Sequence, residues 1–189
     1  MAMIPEILQK GAPVLRQKAR EVPIADIRGV KIRKLLKDMA DALGTQDDGI
    51  ALAAPQIGIS LRIFIVAKVA LKLPEKLQER RSAQHRAELK RKEGYLAFIN
   101  PVIMKLSKDK AVLDEGCLSV RPLYGKTRRS RKAAIRAYDE SGRFFERGAS
   151  GLLAQIFQHE TDHLDGILFI DKATEVKEMP ARDELGGRN

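Results

Sequence analysis

Apolar residues recur with a helical period in two parts of the chain. Between residues 29 and 44 they stand three and four positions apart, and Gly44 follows where a helix C-cap is expected. The same spacing begins again after Ser150, a suitable N-cap, and stops before Gly166. The apolar positions are Ile32, Leu35, Leu36, Met39 and Leu43 in the first stretch, and Leu152, Leu153, Ile156 and Phe157 in the second. The pattern therefore predicts two amphipathic helices.

Other apolar runs are short and rich in β-branched or aromatic residues, which favours strands. LRIFIVA (61–67) is almost wholly apolar, as a buried strand would be. YLAFIN and PVIMKLS predict two strand segments on either side of a break at Asn100–Pro101. AAIRAYD (133–139) and RFFERGA (143–149) flank turn residues and predict a hairpin. Strands thus dominate the first two thirds of the chain, and the second helix comes late.

This order of elements predicts an α+β fold, with antiparallel β-sheets packed around the second helix. A chain of 189 residues, 44% hydrophobic and 32% charged, suits one globular domain over residues 1–189. No apolar run approaches the roughly 18 residues that span a bilayer, and the first residues lack the apolar core of a secretory signal. We therefore expect a cytoplasmic protein with no membrane partner.

The net charge of +10 is concentrated in two segments. Residues 72–93 carry eight Lys or Arg against four Glu, and residues 121–132 carry six against none. In the first segment, Pro74 at a helix start, Gly94 after its end and helix-forming residues between them predict a charged helical insertion. Such basic surfaces favour an RNA-rich or otherwise anionic partner, but a solvated helix and a solvated loop would have the same composition. Both interpretations stay open.

The second predicted helix carries the pattern His-Glu-x-x-His. His159 and His163 are one turn apart on the same face as Leu152 and Ile156, so both imidazoles are expected to point inward. Two imidazoles at this spacing can bind one tetrahedral metal ion, and the intervening Glu160 can reach a metal-bound water. Two half-buried histidines paired with acids would show the same pattern. The metal interpretation therefore needs a third ligand.

The lone cysteine, Cys117, is one candidate for that ligand. It lies in DEGCLSV, between a predicted strand and the basic 121–132 segment. One thiolate and two imidazoles leave a fourth position open for water, as in catalytic rather than structural sites. A free cysteine is also commonly a small buried hydrophobe. Thermolysin-like zinc proteases use a downstream Glu instead, but Glu175 and Glu178 lie in a tail that looks irregular.

A third unusual stretch is DGIALAAPQIG (48–58). Its Gly, Ala and Pro residues allow the backbone to approach a ligand closely. Gln56 offers an amide donor that could meet a developing oxyanion. A tight loop with Gln56 on the surface is the other interpretation.

Three motifs together resemble those of the peptide deformylase family. They are GIALAAPQ (49–56), EGCLS (115–119) and QHETDHL (158–164), and they stand in the family's order. The resemblance covers nearly the whole chain. It departs from the family pattern at Ala51, where the family has glycine, and at Arg121–Pro122, where the family's proline comes one position earlier.

The resemblance implies a role for each matching position. The implied metal ligands are Cys117, His159 and His163. The implied catalytic groups are Glu160 as general base and acid, with Gln56 and the backbone amide of Leu118 as oxyanion donors. The implied substrate-binding residues are Gly49, Ile50, Ala51, Gly116 and Tyr124, the last in the methionine pocket. Glu115 and Arg129 fall where the family has an ion pair behind the metal-bearing loop.

The resemblance also implies the reaction, the cofactor and the partners. The reaction is removal of the formyl group from the N-terminal formyl-methionine of nascent polypeptides, with release of formate. The cofactor is one divalent metal ion, ferrous iron (Fe2+) in the cell, with Zn2+, Ni2+ or Co2+ as replacements. Nascent formyl-methionyl peptides are the expected substrates, and segments 72–93 and 121–132 are predicted to contact the ribosome or its RNA.

Two other functions are compatible with single features of the sequence. A zinc endopeptidase would use the same helix, but it has no use for Cys117. A ribosome-associated binding protein with an idle site would use the basic surplus, and Ala51 in place of glycine favours that interpretation slightly.

Overall fold

The computed structural model describes residues 4–72 and 92–178. Its helices are α1 (Val30–Gly44), α2 (Val69–Lys72) and α3 (Gly151–Leu164). Both predicted amphipathic helices are confirmed, and Ser150 is the N-cap residue of α3. The predicted cap of α1 was one residue early: Thr45 is the C-cap, and both its N–H and its hydroxyl, the latter at 2.8 Å, donate to the carbonyl of Ala42.

The strands form two sheets in which every pairing is antiparallel. The five-stranded sheet has the order β1-β2-β3-β6-β7, with β1 (Ala51–Ala53), β2 (Ile63–Ala67), β3 (Tyr95–Leu106), β6 (Lys132–Tyr138) and β7 (Phe144–Ser150). The three-stranded sheet has the order β4-β5-β8, with β4 (Lys110–Gly116), β5 (Leu123–Ser130) and β8 (Thr174–Glu178). The predicted hairpin is confirmed as the β6–β7 pair.

Strand β2 separates two layers of the hydrophobic core. Its residues alternate between the sheet faces, so that Ile63 and Ile65 pack with α1 while Phe64 and Val66 pack with α3. Both faces are therefore covered, which explains why β2, the IFIVA part of that run, is apolar throughout. The ring of Phe157 on α3 lies 5.2 Å from that of Phe98 on β3, centroid to centroid.

Helix α3 also contacts the three-stranded sheet. The side-chain amide of Gln158 donates to the Ser130 carbonyl, and its oxygen accepts from the Ser130 N–H, each at 3.0 Å. The helix is thus held between the two sheets by apolar packing on one side and hydrogen bonds on the other. The predicted α+β class, with antiparallel sheets around this helix, is confirmed.

Two segments predicted to be irregular are strands. Residues 174–178, expected to be an irregular tail, form β8 because they pair with β5. Most of the basic 121–132 segment forms β5 rather than a loop, and several of its cations are paired. These pairs are Arg121–Asp48, Lys126–Asp114, Arg129–Glu115 and Arg131–Asp109. The helical insertion predicted at 72–93 falls mainly on residues 73–91, which lie outside the described residues.

The break predicted at Asn100–Pro101 is a distortion within one continuous strand. Asn100 has φ of +51°, and the register of β3 against β6 shifts between Ile99 and Val102. Its side chain accepts from the Val22 N–H at 2.8 Å and donates to the Val22 carbonyl at 2.7 Å. Asparagine tolerates this left-handed conformation better than most other residues with a Cβ. Here its side-chain amide also supplies hydrogen-bond partners for both backbone polar groups of Val22.

Replacing Asn100 with alanine should therefore destabilise the fold by about 2 kcal/mol. The N–H and the carbonyl of Val22 lose their hydrogen-bond partners, and the strained φ remains. Asn100→Gly loses the same hydrogen bonds but relieves the φ strain, so it should be about 1 kcal/mol more stable than Asn100→Ala. Urea denaturation of both variants measures the two contributions. Equal stability of the two variants would contradict the strain component.

Candidate metal centre and active site

Three side chains with metal-binding atoms meet between α3 and the end of β4. His159 and His163 lie one turn apart on α3, and Cys117 follows directly after β4. The Cys117 Sγ and one nitrogen from each imidazole all lie within 4.8 Å of one another. The Sγ is 3.1 Å from Nε2 of His163. The fold thus brings together the three ligands predicted from the sequence.

The chemistry of this cluster fits a divalent cation. A thiolate and two imidazoles are a ligand set typical of zinc and iron sites. Burial and the neighbouring His159 lower the pKa of His163 well below its ordinary value, so His163 is neutral at pH 7 as a ligand must be. Burial would also lower the pKa of His159, but contacts with Cys117 and Glu115 outweigh it and raise the pKa well above the ordinary value. The surroundings therefore stabilise positive charge at this point.

A buried ion pair orients the first histidine. Nδ1 of His159 lies 2.7 Å from Oε1 of Glu115, which leaves Nε2 to face Cys117. Glu115 also binds Arg129 in a two-point contact, Nη2 to Oε1 at 2.6 Å and Nε to Oε2 at 3.0 Å. Both charged side chains are at most 5% exposed. Carboxylates that hold the second nitrogen of a metal-binding histidine are common around such sites.

Asp162 and Lys172 extend the Glu115–Arg129 ion pair into a charge network that reaches the protein surface. Arg129 Nη1 lies 2.6 Å from Asp162, and Lys172 Nζ lies 2.7 Å from the other oxygen of Asp162. Because Glu115 accepts hydrogen bonds from His159 and Arg129, its pKa falls to about 2 even though burial opposes this. Glu115 is therefore anionic throughout the neutral range, and Arg129 balances its charge.

Glu160 is buried at the floor of a cleft that Cys117 and His159 also line. Its side chain is among those that line the cleft, and its Oε2 has no hydrogen-bond partner among the described residues. Burial raises its pKa to about 7, and the negative charge of Glu115 adds to this effect. A carboxyl group with a pKa near neutrality and a free oxygen can both accept and donate a proton.

Gln56 and Leu118, the two residues predicted to supply oxyanion donors, also line the cleft. The Oε1 of Gln56 accepts from the Ala53 N–H at 2.8 Å, so its Nε2 must face the site, where it lies 3.1 Å from Ser119 Oγ and 3.6 Å from Cys117 Sγ. The backbone N–H of Leu118 has no acceptor among the described residues. The alternative of Gln56 on the surface is wrong, because Gln56 is 2% exposed.

The five residues predicted to bind substrate line the same cleft, which has a volume of about 710 Å³. They are Gly49, Ile50 and Ala51 on one wall, and Gly116 and Tyr124 on the other. Gly116 is required by close approach, because a Cβ at this position would overlap the ring of Tyr124. Ala51 has an ordinary strand conformation in β1, and its methyl group packs in the core with Phe64 and Ile156. Alanine is therefore compatible with this position.

Some residues of the site were not predicted from the sequence. Gln155 donates to Glu115 at 3.3 Å and to the Asp114 carbonyl at 3.0 Å. It lies one turn before His159 on the same helix face, and that spacing was the signal that could have revealed it.

The family model for polypeptide deformylase matches residues 4–179. Peptide deformylase 1A, chloroplastic/mitochondrial, from Arabidopsis thaliana is 39% identical over 169 residues, which are 89% of this chain and 61% of that protein. The chain therefore spans less than two thirds of the plant relative. Peptide deformylase from Dictyoglomus turgidum is 38% identical over 174 residues, which are 92% of this chain and 95% of that protein.

Solved structures of peptide deformylases are similar to this fold. A peptide deformylase from Legionella pneumophila has a TM-score of 0.74 at 31% identity, covering 92% of this chain and 88% of that one. A class I type b peptide deformylase from Acinetobacter baumannii, solved with Met-Ala-Ser bound, has a TM-score of 0.76 at 26% identity, covering 91% and 99%. The described residues form an α+β scaffold in which Cys117, His159 and His163 could hold a metal ion. The chain belongs to the polypeptide deformylase family.

Proposed function

We propose that this protein removes the formyl group from the N-terminal formyl-methionine of nascent polypeptides and releases formate. One observation carries the proposal: the Cys117, His159 and His163 cluster adjoins the free carboxylate oxygen of Glu160, at the floor of a cleft bordered by Gln56. An endopeptidase would have no use for a cysteine at this position. Membership of the deformylase family supports the same reaction.

Cys117, His159 and His163 would hold the divalent ion, which we propose to be Fe2+ in the cell. Zn2+, Ni2+ and Co2+ would replace it, because one soft thiolate with two imidazoles accepts several metals. When bound, such an ion is a Lewis acid that makes water nucleophilic at neutral pH. Glu115 would keep His159 in the tautomer that leaves Nε2 available for the ion.

Glu160 would move the proton in this reaction. Its carboxylate takes a proton from water as the water oxygen attacks the formyl carbon, and it then delivers that proton to the amine nitrogen as the C–N bond breaks. The products are formate and a free α-amino group. Nε2 of Gln56 and the N–H of Leu118 would donate to the oxyanion that forms on the formyl oxygen.

The cleft walls would hold the peptide that follows the formyl group. Gly49, Ile50 and Ala51 form one wall, and Gly116 lies on the other, and their backbone groups would hydrogen-bond to an extended chain. Tyr124 would border the methionine side chain. The Acinetobacter relative, which binds Met-Ala-Ser, supports a tripeptide of this kind as a ligand.

The proposal is tested by measuring formate. Protein purified without oxygen and loaded with Fe2+ or Ni2+ is expected to release formate from formyl-Met-Ala-Ser, and chelation should abolish this until metal is restored. Cys117→Ser is the paired variant, and it should bind metal more weakly because it replaces the soft thiolate. The iron form should lose activity in air, whereas the nickel form should keep it. Absence of formate from fully metallated protein would overturn the proposal, and cleavage of casein would point to an endopeptidase.

Contact with the ribosome stays a prediction. Most of the first basic segment, residues 73–91, lies outside the described residues. In the second segment, 121–132, most of the cations are in ion pairs. In that segment Arg128 is exposed on β5 and Lys132 on β6, and they are the residues best suited to meet an anionic partner.

A further inference from the structure

The segment 7–9 donates hydrogen bonds to the backbone carbonyls of both residues that are proposed as oxyanion donors. The Leu8 N–H donates to the backbone carbonyl of Gln56 at 2.8 Å. The side-chain Nε2 of Gln9 donates to the backbone carbonyl of Leu118 at 3.1 Å. Gln9 and Leu118 are 109 positions apart in the sequence, so only the fold can bring them together.

The hydrogen bond from Gln9 completes the support of one short turn. The carbonyl of Cys117 accepts from the Val120 N–H at 3.0 Å, and the Ser119 N–H donates to Cys117 Sγ at 3.4 Å. Gln9 donates to the Leu118 carbonyl. The two peptide units that flank Leu118 carry four polar groups, and three of them therefore have partners: the Cys117 carbonyl, the Leu118 carbonyl and the Ser119 N–H. The fourth is the Leu118 N–H, which has no acceptor among the described residues.

We infer that Gln9 is a positioning residue: by holding the Leu118–Ser119 peptide unit it fixes the backbone angles at Leu118, and so keeps the Leu118 N–H of the preceding peptide unit directed at the oxyanion. The Cys117–Leu118 unit that carries this N–H is held at its own carbonyl by the Val120 N–H. With Gln9 on the next unit, rotation about the bonds on either side of the Leu118 Cα is opposed at both ends. The segment itself is anchored, because Leu8 packs in the cluster that includes Cys117 and Ile7 packs in the cluster that includes Leu118. Gln9 is exposed, so its contribution lies in orientation rather than in burial.

This inference rests on the proposed function. Gln9 variants test it by the rate of formate release and by the hydrogen exchange of the turn. Gln9→Ala should lower kcat for formyl-Met-Ala-Ser about five-fold, the scale of one hydrogen bond, with KM and metal content little changed. Gln9→Glu keeps the shape but removes the donor, so it should lose at least as much. Gln9→Lys restores a donor and should recover part of kcat. Lys10→Ala is the matched control, since Lys10 is also exposed and its side chain has no hydrogen bond among the described residues.

A second measurement does not depend on activity. The Ser119 N–H belongs to the peptide unit that Gln9 holds, so its hydrogen exchange in the zinc-loaded protein should quicken about five-fold in Gln9→Ala, while that of Ile65 in β2 stays unchanged. Exchange that quickens at both positions would mean that Gln9 only stabilises the fold, and would overturn the inference. An unchanged kcat in Gln9→Ala would overturn it too. If the unmodified protein releases no formate, the proposed function fails, and Ser119 exchange still decides whether Gln9 holds the turn.

Discussion

Replacing Glu160 with glutamine is expected to lower kcat for formate release about 1,000-fold, within the range for loss of a general acid–base group. Glutamine has nearly the same shape but cannot accept the proton from water or deliver it to the amine. The lost function is therefore proton transfer alone. The measurement is the rate with formyl-Met-Ala-Ser at saturating substrate, on protein whose metal content has been determined.

Folding and metal binding should survive this change. Burial disfavours the charged form of Glu160, since its pKa is raised to about 7, so a neutral side chain costs the fold little. Glu146→Gln is the matched control, because Glu146 is an exposed carboxylate on β7. A metallated Glu160→Gln protein with the full rate would show that another group moves the proton.

Replacing Arg129 with methionine is expected to destabilise the protein by about 3 kcal/mol and to weaken metal binding about ten-fold. Methionine fills much of the volume but leaves the Glu115 carboxylate buried with one cation fewer. Arg129 and Glu115 are at most 5% exposed, so water cannot compensate for the lost charge. Chemical denaturation and competition with a metal chelator measure the two effects.

Two further variants separate the causes. Arg128→Met is the matched control, because Arg128 is the exposed neighbour on β5 and its replacement should change stability by less than about 0.5 kcal/mol. Combining Arg129→Met with Glu115→Leu removes both charges and should recover stability, as replacing a whole buried ion pair often does. Metal binding should stay weak in the double variant, since His159 has lost the carboxylate that orients it. Full recovery of metal binding would contradict an orienting role for Glu115.

The sequence alone predicted much of the local structure and the chemical types at the site. The spacing of apolar residues predicted α1 and α3, since a buried helix face imposes its own period on the sequence. The almost wholly apolar run LRIFIVA predicted a buried strand, because a strand covered on both faces favours apolar residues at successive positions. Cys117, His159 and His163 were predicted as a group from three motifs, and the fold brings them together. Their roles as ligands stay predictions.

Other features were invisible in the sequence because each depends on a partner far along the chain. The 174–178 segment looked irregular, and it becomes a strand only because β5 offers an edge to pair with. The break at Asn100 was visible, but its cause was not, since the amide satisfies Val22, 78 positions away. Likewise the basic 121–132 segment looked like a solvated loop, whereas its charges are balanced by acids from other elements.

The same distinction holds within the site. Residue types and helical spacing determined which groups could bind a metal or move a proton, because those properties are local to each side chain and its turn of helix. Only the tertiary structure decided how these groups are oriented. Glu115 binds the second nitrogen of His159, and the Ala53 N–H donates to the side-chain oxygen of Gln56. Gln9 donates to the Leu118 carbonyl. Orientation comes from hydrogen bonds to atoms that folding brings near, and no spacing along the chain encodes them.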